Sequence, residues 1–367
     1  MKPSRAVCTI VTKSHLAYAR GLAHSLKEHE PGLTLYVLLA DRIDDYFIPE
    51  DEPFQLVRLE DLYFQEPLVR MSFYYSPFEF CCAIRPHLHH YMMASTDCDQ
   101  WIYLDSDIIV CGKLEPIFAQ LQQSPLLISP HLTTINDMSL SVEVGVIKYG
   151  IYNGGCIALR RSQLAERFIE WFRTRLEFYA LNRDRLSGDQ PWLNLVPIAF
   201  PEMLELRHPG TNVGYWNLHE RQIDVDADGN FTANGQPLIF AHFSGGDFAN
   251  PEHVFTRGKQ FDAPITDALR QLFRKYVHYV TSSDLSTTSQ WPYTFNYFND
   301  GSEISPQMRT GYYKQALSGT VATSSPFEHP LQFRPAAEKQ LPRKRLKTKV
   351  REFLKSSFNL FRSAQSI

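Results

Sequence analysis

Apolar positions along residues 6–280 alternate between two periods. Ala6 to Thr12 is a short β-rich run, Leu22, Ala23 and Leu26 within Tyr18–Glu30 fall at helical spacing, and Thr34–Ala40 is a continuous apolar stretch ending in Asp41. Strand, helix and strand in that order predict a βαβ unit. Further along, the pattern predicts a helix over Phe80–Ala94 and a strand over Gln100–Leu104 that runs into Asp105-Ser106-Asp107 and Ile108–Val110. A loop leading into a strand follows over 150–159, then a long helix from Ser162 to about Asn182 and the segment Ser187–Asn194. The fold class is therefore expected to be α/β. Thr281–Gln340 is rich in Ser, Thr, Pro, Tyr and Phe and reads as an irregular segment wrapped on the preceding body, with one helix starting at Ser305-Pro306-Gln307. The expected division is a main α/β unit over 1–280, an extension over 281–340 and a tail over 341–367.

Composition sharpens this picture in three places. With 44% hydrophobic and 21% charged residues among 367, a disordered chain is excluded and a large core is available. No run of about 18 uncharged apolar residues exists, and the N-terminus lacks the apolar core of a signal segment, so no membrane span is expected. The six cysteines form no CxxC pair and most sit in apolar runs, which suits reduced thiols in a cytoplasm. The net charge of −3 conceals an asymmetry: residues 341–367 carry a local +7, leaving −10 for the rest. Within that tail Leu346, Val350, Phe353, Leu354, Phe358, Leu360 and Phe361 share one arc of a helix while Lys344, Arg351, Lys355 and Arg362 share another. Such a basic amphipathic helix suits an anionic membrane surface at the inner face, a helix docked on its own domain, or a solvated end. Nucleic acid is disfavoured, because the body is acidic and the apolar arc has no use in phosphate binding.

Candidate chemistry centres on Asp105-x-Asp107. Two carboxylates two residues apart at the end of a buried strand can hold one hard divalent cation, and the flanks Tyr103-Leu104 and Ile108-Ile109-Val110 place these charges at the edge of a core. Two other patterns are set aside. Asp224-Val-Asp226-Ala-Asp228-Gly229 begins like a calcium loop, but its twelfth position is Gly235, so a hairpin turned at Asp228-Gly229, with Asn234-Gly235 closing the next turn, is expected instead. In His87-Leu-His89-His90 only His87 and His90 share a helical face, so a polar face is expected rather than a metal cluster.

On these residues the sequence resembles the metal-dependent nucleotide-sugar glycosyltransferases of the GT-A fold, particularly the retaining family 8 group that includes glycogenin. The resemblance runs in order over roughly residues 6–246 and implies a GT-A, Rossmann-like mixed sheet flanked by helices. It implies that Cys8–Thr12 and Ala17–Gly21 form the nucleotide-binding first unit, with Ile10, Thr12 and Tyr18 as contacts for base and ribose. Arg85 matches a basic residue near the diphosphate and donor sugar. Leu104–Asp107 is the DxD motif, with Asp105, Ser106 and Asp107 on donor and metal. Asn153, Gly154 and Gly155 match a loop near the donor sugar, Asp189 and Gln190 the pair facing that sugar, and His242–Gly245 the segment that supplies a third metal ligand, with Gly245 beside the donor. The implied cofactor is Mn²⁺ or Mg²⁺, with nitrogen from His242 favouring Mn²⁺. The implied partners are a nucleotide-sugar donor, UDP-linked by this resemblance, and a saccharide, lipid-linked or protein acceptor. Asp189 could stabilise an oxocarbenium-like centre or attack it. One departure is visible: where the family carries a Lys and a Pro-Trp, this chain has Gly246-Asp247-Phe248, which leaves Arg257 or Lys259 as replacement cations.

Asp189 as an N-cap, Arg85 as a solvated helix residue and Asn153-Gly154 as a plain turn are the structural alternatives. The functional alternatives are a saccharide-binding scaffold without turnover, and a sugar-nucleotide pyrophosphorylase. The latter needs a Gly-rich loop after the first strand, where Thr12–Leu16 has no glycine. Pro292–Asn296 is a candidate acceptor-side segment, its Tyr293 ring suited to stacking on sugar.

Overall fold

The computed structural model describes residues 3–135, 140–180, 186, 188–256, 265–320 and 325–328. The tail helix, Arg257 and Lys259 lie outside the described residues. The chain opens with β1 (Arg5–Val11), α1 (Leu16–His29), β2 (Thr34–Leu39) and β3 (Gln55–Val57), and the first strand pair is parallel, as the apolar pattern predicts. The helices α2 (Gln65–Tyr74), α3 (Pro77–Ala83) and α4 (Arg85–Ala94) lead to β4 (Gln100–Leu104) and β5 (Ile108–Val110). Next come α5 (Glu115–Gln120), β6 (Leu126–Pro130), α6 (Leu140–Tyr149), β7 (Tyr152–Arg160), α7 (Gln163–Tyr179), α8 (Gln190–Leu193), α9 (Val196–Ala199) and β8 (Leu204–Glu205). The short strands β9 (Ile223–Val225), β10 (Phe231–Ala233), β11 (Gln236–Pro237) and β12 (Phe240–His242) precede α10 (Asp267–Thr281), α11 (Leu285–Thr288) and α12 (Pro306–Leu317).

Seven strands form one mixed sheet in the order β3-β2-β1-β4-β7-β6-β8, the α/β architecture expected. β1, β2, β3 and β4 run parallel, and β7 lies antiparallel between β4 and β6. That direction matters, because the carboxyl ends of β1 and β4 and the amino end of β7 then share one edge. Apolar side chains cover both faces: Trp101, Tyr103, Ile157 and Phe168 on one, Ile102, Leu104, Cys156 and Phe118 on the other. β5 leaves the large sheet and pairs antiparallel with β12, so Ile108 stands opposite His242.

Four local expectations change or sharpen. Phe80–Ala94 is two helices, because Pro86 lacks an N–H and starts a new helix after Ile84, whose ψ of 1° ends the first. The first of these is entered through a capping box of Ser76 and Glu79. The histidines of that region are not a polar face: His87 and His89 are buried, and His89 Nδ1 accepts a 3.0 Å bond from Trp101 Nε1. Asn153-Gly154 is no hairpin turn but the start of β7. The hairpins at Asp228-Gly229 and Asn234-Gly235 form as expected, with Asp226 accepting from the Asp228 and Asn230 amides. All six cysteines are free thiols, and no described helix is long and apolar enough to cross a membrane.

Burial pushes both His87 and His89 down from 6.5 to about 3, so both are neutral when folded and take protons on unfolding below pH 6.5. Folded-state stability is thus fully present above pH 6.5 and falls as pH drops towards 3, by about 1.4 kcal/mol per pH unit for each histidine. His89→Gln, which keeps an acceptor for Trp101 but does not titrate, is expected to flatten the fall of the urea midpoint between pH 6.5 and 5. An unchanged pH slope in the variant would refute the assignment.

Candidate active site

Four chain segments meet at the sheet edge. β4 ends at Leu104, and the next amide, Asp105 N, donates to Gly155 O at 2.9 Å, which locks the start of β7 beside the Asp-x-Asp turn. On its other side β7 slips register: Ile128 pairs with Ile157 but Ser129 with Asn153, so residues 154–156 bulge away from β6. The bulge sets Gly154 and Gly155 against the site. A Cβ on Gly155 would lie 2.5 Å from His242 Cε1 and 2.7 Å from Asp105 Oδ2; one on Gly154 would overlap Arg85 Nη1 and lie 2.9 Å from Asp189 Oδ2. Only hydrogen fits at either position.

Asp105, Asp107 and His242 come together, each offering a ligand atom within 4.8 Å of the others. His242 Nε2 lies 2.9 Å from Asp107 Oδ1 and 3.8 Å from Asp105 Oδ2. The pairing of β5 with β12 brings His242 here, and Phe243 N fixes the turn by donating to Asp107 O at 2.9 Å. The Asp105 and Asp107 side chains are 29% and 31% exposed while His242 is buried, so the trio is open on one side only. Burial opposes protonation of His242, but the neighbouring Asp107 and Asp105 outweigh it and hold the imidazole above its ordinary value. Burial pushes Asp107 up, and His242 more than compensates, leaving it below the usual carboxylate range. Two carboxylate oxygens and one imidazole nitrogen could hold a divalent cation.

Beneath the trio lies Arg85, 4% exposed. Its Nη2 donates to Asp105 Oδ1 at 3.0 Å, and its Nη1 donates to Gly154 O at 2.7 Å and to Asp189 Oδ2. The guanidinium lies 4.4 Å from the Tyr103 ring, whose hydroxyl also donates to Asp105 Oδ1 at 2.7 Å. Arg85 is therefore neither a solvated helix residue nor a free cation, since it braces two carboxylates. Asp189 stands at the N-cap position of α8 but makes no cap bond with its side chain, which is spent on Arg85. Burial raises the Asp189 pKa against the pull of Arg85. Gln190 Oε1 accepts from Gly154 N at 3.1 Å while its Nε2 donates to Tyr149 O. Asn153 Oδ1 accepts from Gly155 N, and its Nδ2 lies 3.1 Å from His131 Nε2.

The remaining positions are more varied. Ser106 is half-buried between the two aspartates, and Gly245, at φ +68°, gives its carbonyl to Thr256. The Ile10 side chain packs in the core. Thr12 Oγ1 is bonded to Ser14 and His15, and the half-buried Tyr18 ring stacks on His15 at 5.5 Å and meets Phe248 edge-on. Tyr293 is buried among core residues, so its ring is not free to stack on sugar.

Three groups were missed by sequence reasoning. Lys13 is 1% exposed and tied to Asp44 at 2.8 Å and Thr294 Oγ1 at 2.6 Å. His15 stands close enough to Asp107 for their charges to interact. Thr211–Asn217 places Asn212 and Trp216 against His242. None of the three stood out in the sequence, because each depends on a partner distant along the chain.

No protein-family model matches the chain. Two proteins of Bacillus subtilis (strain 168) are similar in sequence. YfnD is 26% identical over 243 residues, covering 65% of this chain and 76% of its own length; YfnF is 24% identical over 250 residues, covering 65% and 81%. Both carry the name uncharacterized protein. Among solved structures, the galactosyltransferase LgtC in complex with donor and acceptor sugar analogs aligns with 76% of this chain and 95% of its own, at 16% identity and a TM-score of 0.48. GlyE of Streptococcus pneumoniae TIGR4 aligns with 81% and 67% at 16% identity and 0.46, and the bifunctional WbbM with 79% and 52% at 12% and 0.45. These structural neighbours are glycosyltransferases.

Gly155→Ala is expected to weaken Mn²⁺ binding at least tenfold while costing about 1–3 kcal/mol of stability, because the added methyl displaces ligands rather than core strands. Isothermal titration with Mn²⁺ and thermal unfolding check it together. Wild-type Mn²⁺ affinity in a folded variant would contradict the packing described.

Proposed function

We propose that the chain is a divalent-metal-dependent glycosyltransferase that moves a hexose from a nucleotide-diphosphate donor, UDP-linked, to a saccharide or lipid-linked acceptor, with retention at the anomeric carbon. The observation that carries this reading is the joining of two assemblies. The open trio of Asp105, Asp107 and His242 shares Asp105 with the buried Arg85–Asp189 pair. Departure of a nucleoside diphosphate from a sugar develops negative charge on phosphate and positive charge on the anomeric carbon. A paired site of this kind answers both. Asp105, Asp107 and His242 would hold Mn²⁺ or Mg²⁺, which when bound supplies the positive charge that stabilises the leaving diphosphate.

The protein residues do the rest. The Gly154–Gly155 bulge lets Arg85, Asp189, Asp105 and His242 close onto the β7 backbone, which holds Asp189 and Gln190 beside the trio that would take the donor. Arg85 keeps the Asp189 carboxyl oriented and opposes the rise that burial imposes on its pKa, where it would face an oxocarbenium-like carbon. UDP specificity and retention rest on the motif resemblance. The acceptor side is read from α6, where Leu140, Val144 and Ile147 are 73%, 54% and 76% exposed at helical spacing. Gln190 ties α6 to the site by donating to Tyr149 O. An apolar face beside the site favours an acceptor carried on a lipid.

The test is release of free nucleoside diphosphate from UDP-, GDP- and dTDP-sugars with Mn²⁺, Mg²⁺ or EDTA. Metal-dependent release from a UDP-sugar is expected, accelerated by a lipid-linked saccharide and reduced at least 10²-fold in Asp107→Ala. Release that persists in EDTA, or is equal in Asp107→Ala, would overturn the proposal.

A further inference from the structure

Residues 211–217, Thr-Asn-Val-Gly-Tyr-Trp-Asn, run beside β12. Val213 bridges Ala241, and His242 N donates to Val213 O at 2.7 Å. Asn212 is wholly buried at φ +50°, a conformation that Asn tolerates better than most residues. Its Oδ1 lies 3.1 Å from His242 Nδ1. An amide oxygen only accepts, so with Asn212 in this orientation Nδ1 carries a hydrogen, and Nε2, which faces the Asp107 and Asp105 carboxylates, is the nitrogen that would ligate an ion. Trp216 meets the same imidazole edge-on, at 5.1 Å and 86°, and His131 at 5.4 Å and 87°. Asn217 pins the loop: its Oδ1 accepts from Gly214 N at 3.0 Å, and its Nδ2 donates to Asn212 O at 3.0 Å and His131 O at 3.1 Å. Asn212 and Trp216 therefore fix two properties of His242, its tautomer and its ring plane, and neither is supplied by β12 itself.

We infer that Asn212 and Trp216 are positioning residues that preset His242 as a metal ligand, an inference that rests on the metal-dependent reading above. Outer groups of this kind typically carry 10–100-fold in metal affinity.

The test is Mn²⁺ titration of the full chain, followed by the paramagnetic resonance signal of free Mn²⁺. Imidazole ¹⁵N shifts of selectively labelled protein report the His242 tautomer. Asn212→Ala is expected to weaken Mn²⁺ binding at least tenfold and to mix the two tautomers. Asn212→Asp, which keeps an accepting oxygen, is expected to stay within threefold of wild type with the hydrogen on Nδ1. Should Asn212→Ala fail to fold, Trp216→Leu is read in the same titration, with at least threefold weakening expected. A folded Asn212→Ala, or in its place Trp216→Leu, with wild-type affinity overturns the inference alone. A wild-type chain that binds no Mn²⁺ overturns both the metal reading and this one.

Discussion

A guanidinium shut away from water between two carboxylates is the constraint around which this molecule is arranged. Arg85 cannot be buried without partners, and Asp105 and Asp189 cannot approach one another without a cation between them. Once the three are together, the oxygens of Asp105 are divided. Oδ1 is taken by Arg85 and the Tyr103 hydroxyl, and Oδ2 is left for His242 and the open side of the trio. One aspartate thus links a buried guanidinium–carboxyl pair to a partly exposed trio that could hold a cation. Loss of Arg85 would leave the buried Asp189 carboxyl without compensation and Asp105 without its brace, which places this residue in folding as much as in chemistry.

The sheet makes that pairing possible. The antiparallel direction of β7 brings its beginning to the edge where β1 and β4 end, and the slip in its pairing with β6 pushes Gly154 and Gly155 into contact with ligands and brace alike. β12 contributes His242 through a separate two-stranded pairing, so the site is shared by elements more than 130 residues apart in sequence. Such a site exists only in the folded chain. Its precision depends on backbone approach, which is why glycine recurs where any side chain would intrude.

How much of this was legible in the sequence follows from what sequence patterns encode. The βαβ opening, the strand before Asp105 and the helices capped at Ser162 and Ser305 are local, set by periodicity and capping chemistry, and they appear where expected. The Asp-x-Asp turn was readable as a pair of carboxylates at a strand end, and His242 only through the motif resemblance of His242–Gly245. The environments of Arg85, His87 and His89 were not, because a helical wheel does not reveal which face lies under Trp101 or Asp189. The break at Ile84 was available in Pro86 and was outweighed by the apolar run around it. The Asn212 loop and Lys13 depend on partners 30 and 281 residues away, which no spacing rule reaches.

The central claim is that one divalent ion sits among Asp105, Asp107 and His242 while the phosphates of the donor occupy its open side. Anomalous diffraction at the manganese edge from crystals grown with Mn²⁺ and UDP tests it most directly. The account predicts a single peak within coordination distance of Asp105 Oδ2, Asp107 Oδ1 and His242 Nε2, with diphosphate oxygens completing the shell. A peak held by other residues, or diphosphate bound with no metal beside Asp107, would contradict it.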